Sequence, residues 1–168
     1  MAILPRSMPD PLFDYTAIDL SETFLDADQL SEWLPQTGAM RQLDRVVHID
    51  APRIHAVGIK EVRDDEFWVP GHIPGRPLLP GVIMIEAAAQ ISSVLYQFRL
   101  IHDGRDEKGF LGFTRVENCT FRGQVVPGDR LVLVAKEVKF QRRRFACDAQ
   151  GWVNDNMMFE VKCTGMRI

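Results

Sequence analysis

The sequence has few of the features that would place it outside the ordinary globular proteins. It holds only three cysteines, Cys119, Cys147 and Cys163, and no two stand at CxxC spacing. Three thiols cannot all pair with one another, so neither a disulfide framework nor a zinc knuckle is indicated. The chain reads as reduced and cytoplasmic. A long apolar run is also missing. The longest, Val82 to Ile91, is interrupted by Glu86 and Gln90, and a membrane span needs about 20 apolar residues. The opening stretch MAILPRSMPDPLFDY lacks a basic segment followed by an apolar one, so no signal peptide is expected. Nor is there an excess of positive charge. The net charge of -3 argues against a dedicated nucleic-acid binder, whose domains are usually basic. His48, His55 and His102 have no metal-ligand spacing, and no metal site is expected. There is no internal repeat and no low-complexity segment.

What is present suits one soluble domain. The chain has 168 residues, 46% hydrophobic and 26% charged, which is enough to bury a core of ordinary composition. Residues 1–25 hold several prolines and no sustained periodicity. They read as an N-terminal arm, ordered only by packing on the body or on a partner subunit. Residues 26–168 read as a single domain. Asp26 is a plausible N-cap for a short helix to about Leu34, stopped by Pro35 and Gly38. DRVVHID and RIHAVGIKEV read as a strand pair.

A helix is expected from Pro80 or Gly81 to about Ile101, with Gly104 just beyond it. Its first half is apolar on nearly every face, the mark of a helix buried all round. After the loop HDGRDEKG, the segments FLGFTRVENCTF, DRLVLVAKEVKF, RRFACDAQGWV and MMFEVKCTGMRI read as four long strands. VPGD, the arginines at 142–144 and NDN supply the turns between them. An α+β fold follows: an antiparallel sheet wrapped around one central helix. Such a sheet leaves edge strands, which pairing between two copies would cover. Cys119 and Cys163 fall on strands as core residues, and Trp33, Trp68 and Trp152 read as packing residues.

The segment GHIPGRPLLPGVIMIEAAAQ, Gly71 to Gln90, carries the chemistry. Most lone loop histidines are solvated or structural, and His72 taken by itself is no exception. Glu86 is harder to place in a core. An unpaired carboxylate on an apolar helix costs several kcal/mol or keeps its proton. Such a group suits a site, or an arginine met across a subunit interface. Just before it, Pro80 and Gly81 open the helix. Free N–H groups and the helix dipole there favour an oxygen that gains negative charge, and glycine admits a ligand close to the backbone. Base, acid and oxyanion donor together are what removal of water from a 3-hydroxyacyl thioester requires.

This stretch resembles the signature of the β-hydroxyacyl-acyl-carrier-protein dehydratases, approximately G-H-F-P-x-x-P-x-x-P-G-V-L-x-x-E-A-x-A-Q. Ile73 stands for the usual phenylalanine and Ile83 for the usual leucine. LDRVVHID before it and CTFRGQVVPGDRLVL after it extend the similarity to roughly residues 30–168. The resemblance implies the hotdog fold and dehydration of 3-hydroxyacyl-acyl-carrier-protein thioesters to trans-2-enoyl thioesters, in fatty-acid or related acyl-chain biosynthesis. It implies that His72 takes the C2 proton and that Glu86 protonates the departing hydroxyl. It further implies that the Gly81 N–H polarises the thioester carbonyl and that Gln90 supports the acid. It implies no metal and no organic cofactor. In that family the histidine and acid of one site come from different subunits, so the resemblance implies a homodimer or a trimer of dimers. Glutamate rather than aspartate at the acid position matches the branch that dehydrates without isomerising.

The sequence departs from the family at three places. The family reads L-P-H-R-x-P-F before its D-R-V, where this chain reads LPQTGAMRQLDRV. The tyrosine that gates the substrate tunnel has no match near GFLGFTRV, where Phe110 or Phe113 stands instead. Gln124 replaces a proline. These changes bear on the acyl pocket, while His72, Gly81 and Glu86 are retained. A hotdog acyl-thioesterase is the nearest alternative, but such enzymes lack the G-H-x-P-x-x-P loop. A non-catalytic acyl-binding partner in a synthase assembly would need neither base nor acid. Arg142, Arg143 and Arg144, possibly with Arg122, read either as a solvated turn or as a basic patch for the acidic carrier protein.

Overall fold

The computed structural model describes residues 10–105 and 109–168. Residues 1–9 of the expected arm and 106–108 of the expected loop lie outside the described residues. Six antiparallel strands form one sheet: β1 (Arg45–Ile49), β2 (His55–Glu61), β3 (Leu111–Phe121), β4 (Arg130–Phe140), β5 (Arg144–Val153) and β6 (Asn156–Arg167). Their order is β1-β2-β4-β5-β6-β3. In β6 buried and less buried residues alternate along the whole strand, as period two requires of a sheet with an inner and an outer face. The β5–β6 turn is Asn154-Asp155, with φ of 47° and 61°. Two left-handed residues match the twist of a two-residue hairpin, and Asn and Asp tolerate that region.

The long helix α2 (Gly81–His102) lies against the sheet. Ala87, Ala88, Ile91, Val94 and Leu95 are fully buried, so the apolar run is explained by packing on nearly all sides. By length and composition alone α2 could cross a membrane, more than its interrupted run suggested. Its burial within the sheet is that of a core helix. Close approach is made possible at Gly58 on β2, where a Cβ would lie 2.6 Å from Cδ1 of Leu43 and 3.1 Å from Cδ1 of Ile91. Past the helix end, Gly104 takes φ of 70° and donates to the carbonyl of Ile101. This sheet around one buried helix is the hotdog fold.

The short helix α1 (Ala27–Leu30) is shorter than expected. Asp26 caps it as anticipated, in a reciprocal pair with Gln29 at 2.8 and 2.9 Å. From Ser31 to Trp33 the backbone bonds run to the third residue back instead of the fourth, so the turn tightens and the regular helix ends before Leu34.

Residues 10–25 cover the other face of the sheet. Tyr15, with Leu12, Phe13, Ile18 and Leu20 beside it, packs on Val57, Val134 and Trp152 in a second apolar cluster. Gln150 ties this segment to β5, accepting from the Leu12 N–H at 3.0 Å and donating to the Asp10 carbonyl at 3.2 Å. Leu25 then bridges to Val46, which covers part of the β1 edge.

Candidate active site

The loop between β2 and α2 holds His72 by its backbone and its ring. The His72 N–H donates to the Trp68 carbonyl at 2.8 Å, and the His72 carbonyl accepts from the Leu78 N–H at 2.9 Å. Its Nδ1 lies 2.8 Å from the Leu78 carbonyl oxygen. A carbonyl can only accept, so Nδ1 carries the hydrogen and Nε2 is the unprotonated nitrogen of the neutral ring. The ring is exposed, and Nε2 is the atom placed to take a proton.

Trp68, the anchor of this loop, is itself held from below. Its indole N–H donates to Glu66 at 2.9 Å, and Glu66 accepts both from Nζ of Lys60 (2.9 and 3.0 Å) and from the Arg63 N–H (3.0 Å). The Lys60 and Glu66 side chains are 1% and 8% exposed. Burial alone would raise the Glu66 pKa, but these hydrogen bonds and the lysine charge hold the carboxyl below its ordinary value.

At the start of α2, Ile83 and Met84 donate to the Pro80 carbonyl. The N–H of Gly81 precedes that ladder and points out of the helix end, where the dipole is positive. A Cβ at Gly81 would lie 2.6 Å from Cζ of Phe121. Only glycine leaves this ring its place against the first turn.

Glu86 sits on the second turn of α2, half-buried. Its Oε1 accepts from Nε2 of Gln90 at 2.8 Å and from Nε2 of Gln36 at 3.0 Å. Gln90 is 1% exposed and is fixed further by the Gln42 N–H at 2.8 Å and the Met40 carbonyl at 2.7 Å. The segment that replaces L-P-H-R-x-P-F thus wraps the acid. On the same side of α2, Ser93, Gln97, Leu100 and Ile101 border a cavity of about 660 Å³, lined also by Gln36 and Phe110. Trp33, expected as a packing residue, stacks on Phe98 and also lines this cavity.

Glu86 and Gln90 are brought together within one chain. His72 and Gly81 lie at the N-terminal end of α2, and among the described residues His72 shares no hydrogen bond with Glu86 in the single subunit. Arg122 does not join Arg142, Arg143 and Arg144. It is ion-paired with Glu160 beside the end of β3, near the Gly81 end of the sheet. The three arginines lie at the β4–β5 turn, whose Gln141 and Arg142 carbonyls accept from the Tyr96 hydroxyl at 3.0 and 2.8 Å. Tyr96 is about 22 Å along the helix axis from Gly81 at 1.5 Å per residue.

Sequence reasoning missed Gln36 and the Lys60–Glu66–Trp68 support. Gln36 reaches Glu86 across fifty residues of sequence, and the Lys60–Glu66–Trp68 support, though local, depends on burial of a lysine and a glutamate that their types assign to solvent. The cysteines show no sign of chemistry: all three are free thiols, and burial pushes the Cys163 thiol up to about 12.

The FabA-like domain family matches residues 34–162 of this chain. A 3-hydroxyacyl-[acyl-carrier-protein] dehydratase FabZ from Xanthomonas campestris pv. campestris (strain B100) is 35% identical over 146 residues, which is 85% of this chain and 94% of that protein. The FabZ dehydratase of Anoxybacillus flavithermus is 35% identical over 117 residues, 70% of this chain and 79% of that one. Among solved structures, the dehydratase heterocomplex ApeI:P from Xenorhabdus doucetiae superposes with a TM-score of 0.70 at 14% identity, covering 83% of this chain and 90% of that one. A hypothetical thioesterase with coenzyme A from Streptococcus pneumoniae gives a TM-score of 0.54 at 12% identity, over 74% and 84% of the two chains. These two structural likenesses speak to the fold alone.

Proposed function

The chain belongs to the FabA-like family, and from that membership we propose that it dehydrates 3-hydroxyacyl thioesters carried by acyl carrier protein to trans-2-enoyl thioesters. The relatives that cover most of its length carry the name of that reaction. The observation that carries the reading to residues is the fixed neutral tautomer of His72, with Nδ1 on the Leu78 carbonyl and Nε2 open.

Nε2 of His72 removes a proton from C2, and the electron pair moves toward the thioester carbonyl. The N–H of Gly81 meets the growing charge on that oxygen. The C3–O bond breaks as Glu86 gives its proton to the departing hydroxyl, which leaves as water, and the C2–C3 double bond forms. Gln90 keeps the carboxyl in place through its three hydrogen bonds. No residue needs a metal or an organic cofactor for this sequence of proton transfers.

The site is completed by a second copy. β3 is an edge strand of eleven residues, and Phe113, Val116 and Phe121 on it are 45%, 41% and 48% exposed. A long apolar edge of this kind pairs with another strand rather than remaining in water. Pairing of two β3 edges gives a homodimer in which His72 of one subunit works with Glu86 of the other, and three dimers can assemble further. The cavity beside Gln36 and Phe110 is the acyl compartment. The enzyme is soluble and cytoplasmic and works in fatty-acid or related acyl-chain biosynthesis.

Incubation with 3-hydroxyacyl carrier proteins of varied chain length, followed by mass spectrometry, tests the reading. Loss of 18 Da from the carrier-bound acyl group is expected. Release of the free acid in its place would identify a thioesterase, and an unchanged acyl group would identify an acyl-binding partner.

A further inference from the structure

We propose that Gln36 is a positioning residue for the acid, fixing which oxygen of Glu86 carries the transferable proton. The inference rests on the reading of Glu86 as proton donor. Oε1 of Glu86 already accepts two amide N–H groups, from Gln36 at 3.0 Å and from Gln90 at 2.8 Å. A proton on Oε1 would be directed at one of these donors, so the proton belongs on Oε2. With both donors on one side, the carboxyl cannot rotate about its own axis without breaking both bonds.

Gln36 accepts a cost to do this. Its own Oε1 is buried with no hydrogen-bond partner among the described residues, and a buried acceptor left unpaired is unfavourable. Turning the amide over would not remove the cost but would set its oxygen against the unprotonated Oε1 of Glu86. The donor orientation is therefore fixed by Glu86 itself.

The backbone beneath Gln36 is also held. Arg41 donates from Nε and Nη2 to the Gln36 carbonyl at 2.9 and 2.6 Å, and from Nη1 to the Ala27 carbonyl at 3.3 Å. One guanidinium staples the start of α1 to the residue that reaches Glu86. This support belongs to the segment in which the chain departs from its family's pattern, since Gln36 stands where that pattern has histidine.

The test compares Gln36→Met, Gln36→His and Gln36→Glu with Glu86→Gln, using a 3-hydroxyacyl pantetheine thioester. Methionine keeps the length and loses the donor. Its kcat should fall roughly tenfold to a hundredfold, the worth of a hydrogen bond to the carboxylate that Glu86 becomes as it gives up its proton, with KM within about twofold. Histidine restores an N–H donor and should recover kcat to within about threefold of the native enzyme. Glutamate is isosteric and places a second carboxylate beside Glu86, so the two share a proton. Its loss should be greatest at high pH and shrink as pH falls.

Native kcat in Gln36→Met, or equal loss in Gln36→Met and Gln36→His, would overturn the proposal. A loss confined to KM would do the same. If Gln36→Met does not fold, the pH dependence of the isosteric Gln36→Glu decides, and a pH-independent loss there counts against the proposal. Glu86→Gln separates the two levels. If it turns over normally, the reading of Glu86 itself fails. If it is inactive while Gln36→Met is normal, only the role of Gln36 fails.

Discussion

His72 and Leu78 hold each other twice: the Leu78 N–H reaches the His72 carbonyl at 2.9 Å, and the Leu78 carbonyl receives Nδ1 of His72 at 2.8 Å. The loop from His72 to Leu78 is thereby closed into a unit that sets both the position and the tautomer of the ring. General acid–base groups contribute roughly 10²–10⁴-fold each. His72→Ala and Glu86→Gln should each reduce dehydration by that order while circular dichroism stays native. Turnover close to that of the native enzyme in either variant removes that residue from the mechanism.

The open β3 edge makes a prediction about assembly. Light scattering should give at least a dimeric mass at working concentrations. Mixed dimers carry the sharper test. Pairing one His72→Ala subunit with one Glu86→Gln subunit leaves one site with both mutations and one with neither, if the site is shared. Activity should return to roughly half of the native value per heterodimer, about a quarter over all dimers after random exchange of equal amounts, from a base near zero for each parent. Mixing that restores nothing, after subunit exchange is shown by mass spectrometry, would place base and acid in the same subunit.

Lys60 and Glu66 form a buried pair beneath the loop that carries His72, and removing one partner of such a pair costs roughly 3–5 kcal/mol. Lys60→Met should therefore lower the melting temperature and disturb His72 through Trp68. The pair also makes stability depend on pH. The folded Glu66 carboxyl titrates below its ordinary 4.5. Its contribution is thus fully present above about that pH and is lost as pH falls through the lower, folded value. Denaturant melts of the native protein and Glu66→Gln between pH 6 and pH 3 should show a steeper loss for the native chain. Parallel curves would mean that Glu66 is not held in its charged form.

Much of this was legible in the residues, for identifiable reasons. The strands and α2 were readable because period-two patterns and an apolar-rich segment opened by Pro80 and Gly81 are local signals, and Asn154-Asp155 is a turn by its own chemistry. His72, Gly81 and Glu86 lie within fifteen consecutive positions, so one motif carries all three. Gln36 could not be read, because its role depends on a contact fifty residues away. Lys60 would have been assigned to solvent by its type, and only the fold shows Glu66 and Trp68 closing over it. The early end of α1 was missed because tightening of a last turn leaves no mark on composition. Arg122 was grouped with Arg142–Arg144 by charge alone, and the sheet separates them by the length of its strands.

Carrier-protein docking is where that separation matters. Acyl carrier proteins are acidic, and this chain has a net charge of -3, so general attraction is absent and a local basic patch must supply it. Arg142, Arg143 and Arg144 are the densest such patch in the sequence. They lie at the far end of α2 from Gly81 in the same subunit, so they can act on encounter but not on the chemistry. Rim charges of this kind change association rates and are screened over about 8–10 Å at physiological salt. Reversing Arg142 and Arg144 to glutamate should raise KM for carrier-bound substrates severalfold at low salt. Small pantetheine thioesters should be turned over as before, because His72, Gly81 and Glu86 are untouched. The carrier defect should shrink as salt rises, since the attraction lost is itself screened. If both substrate types suffer equally, the reversal has damaged the fold or the site. If the carrier substrate is unaffected at low salt, docking uses another surface, and Arg76 and Arg122, nearer the His72 loop, become the residues to reverse.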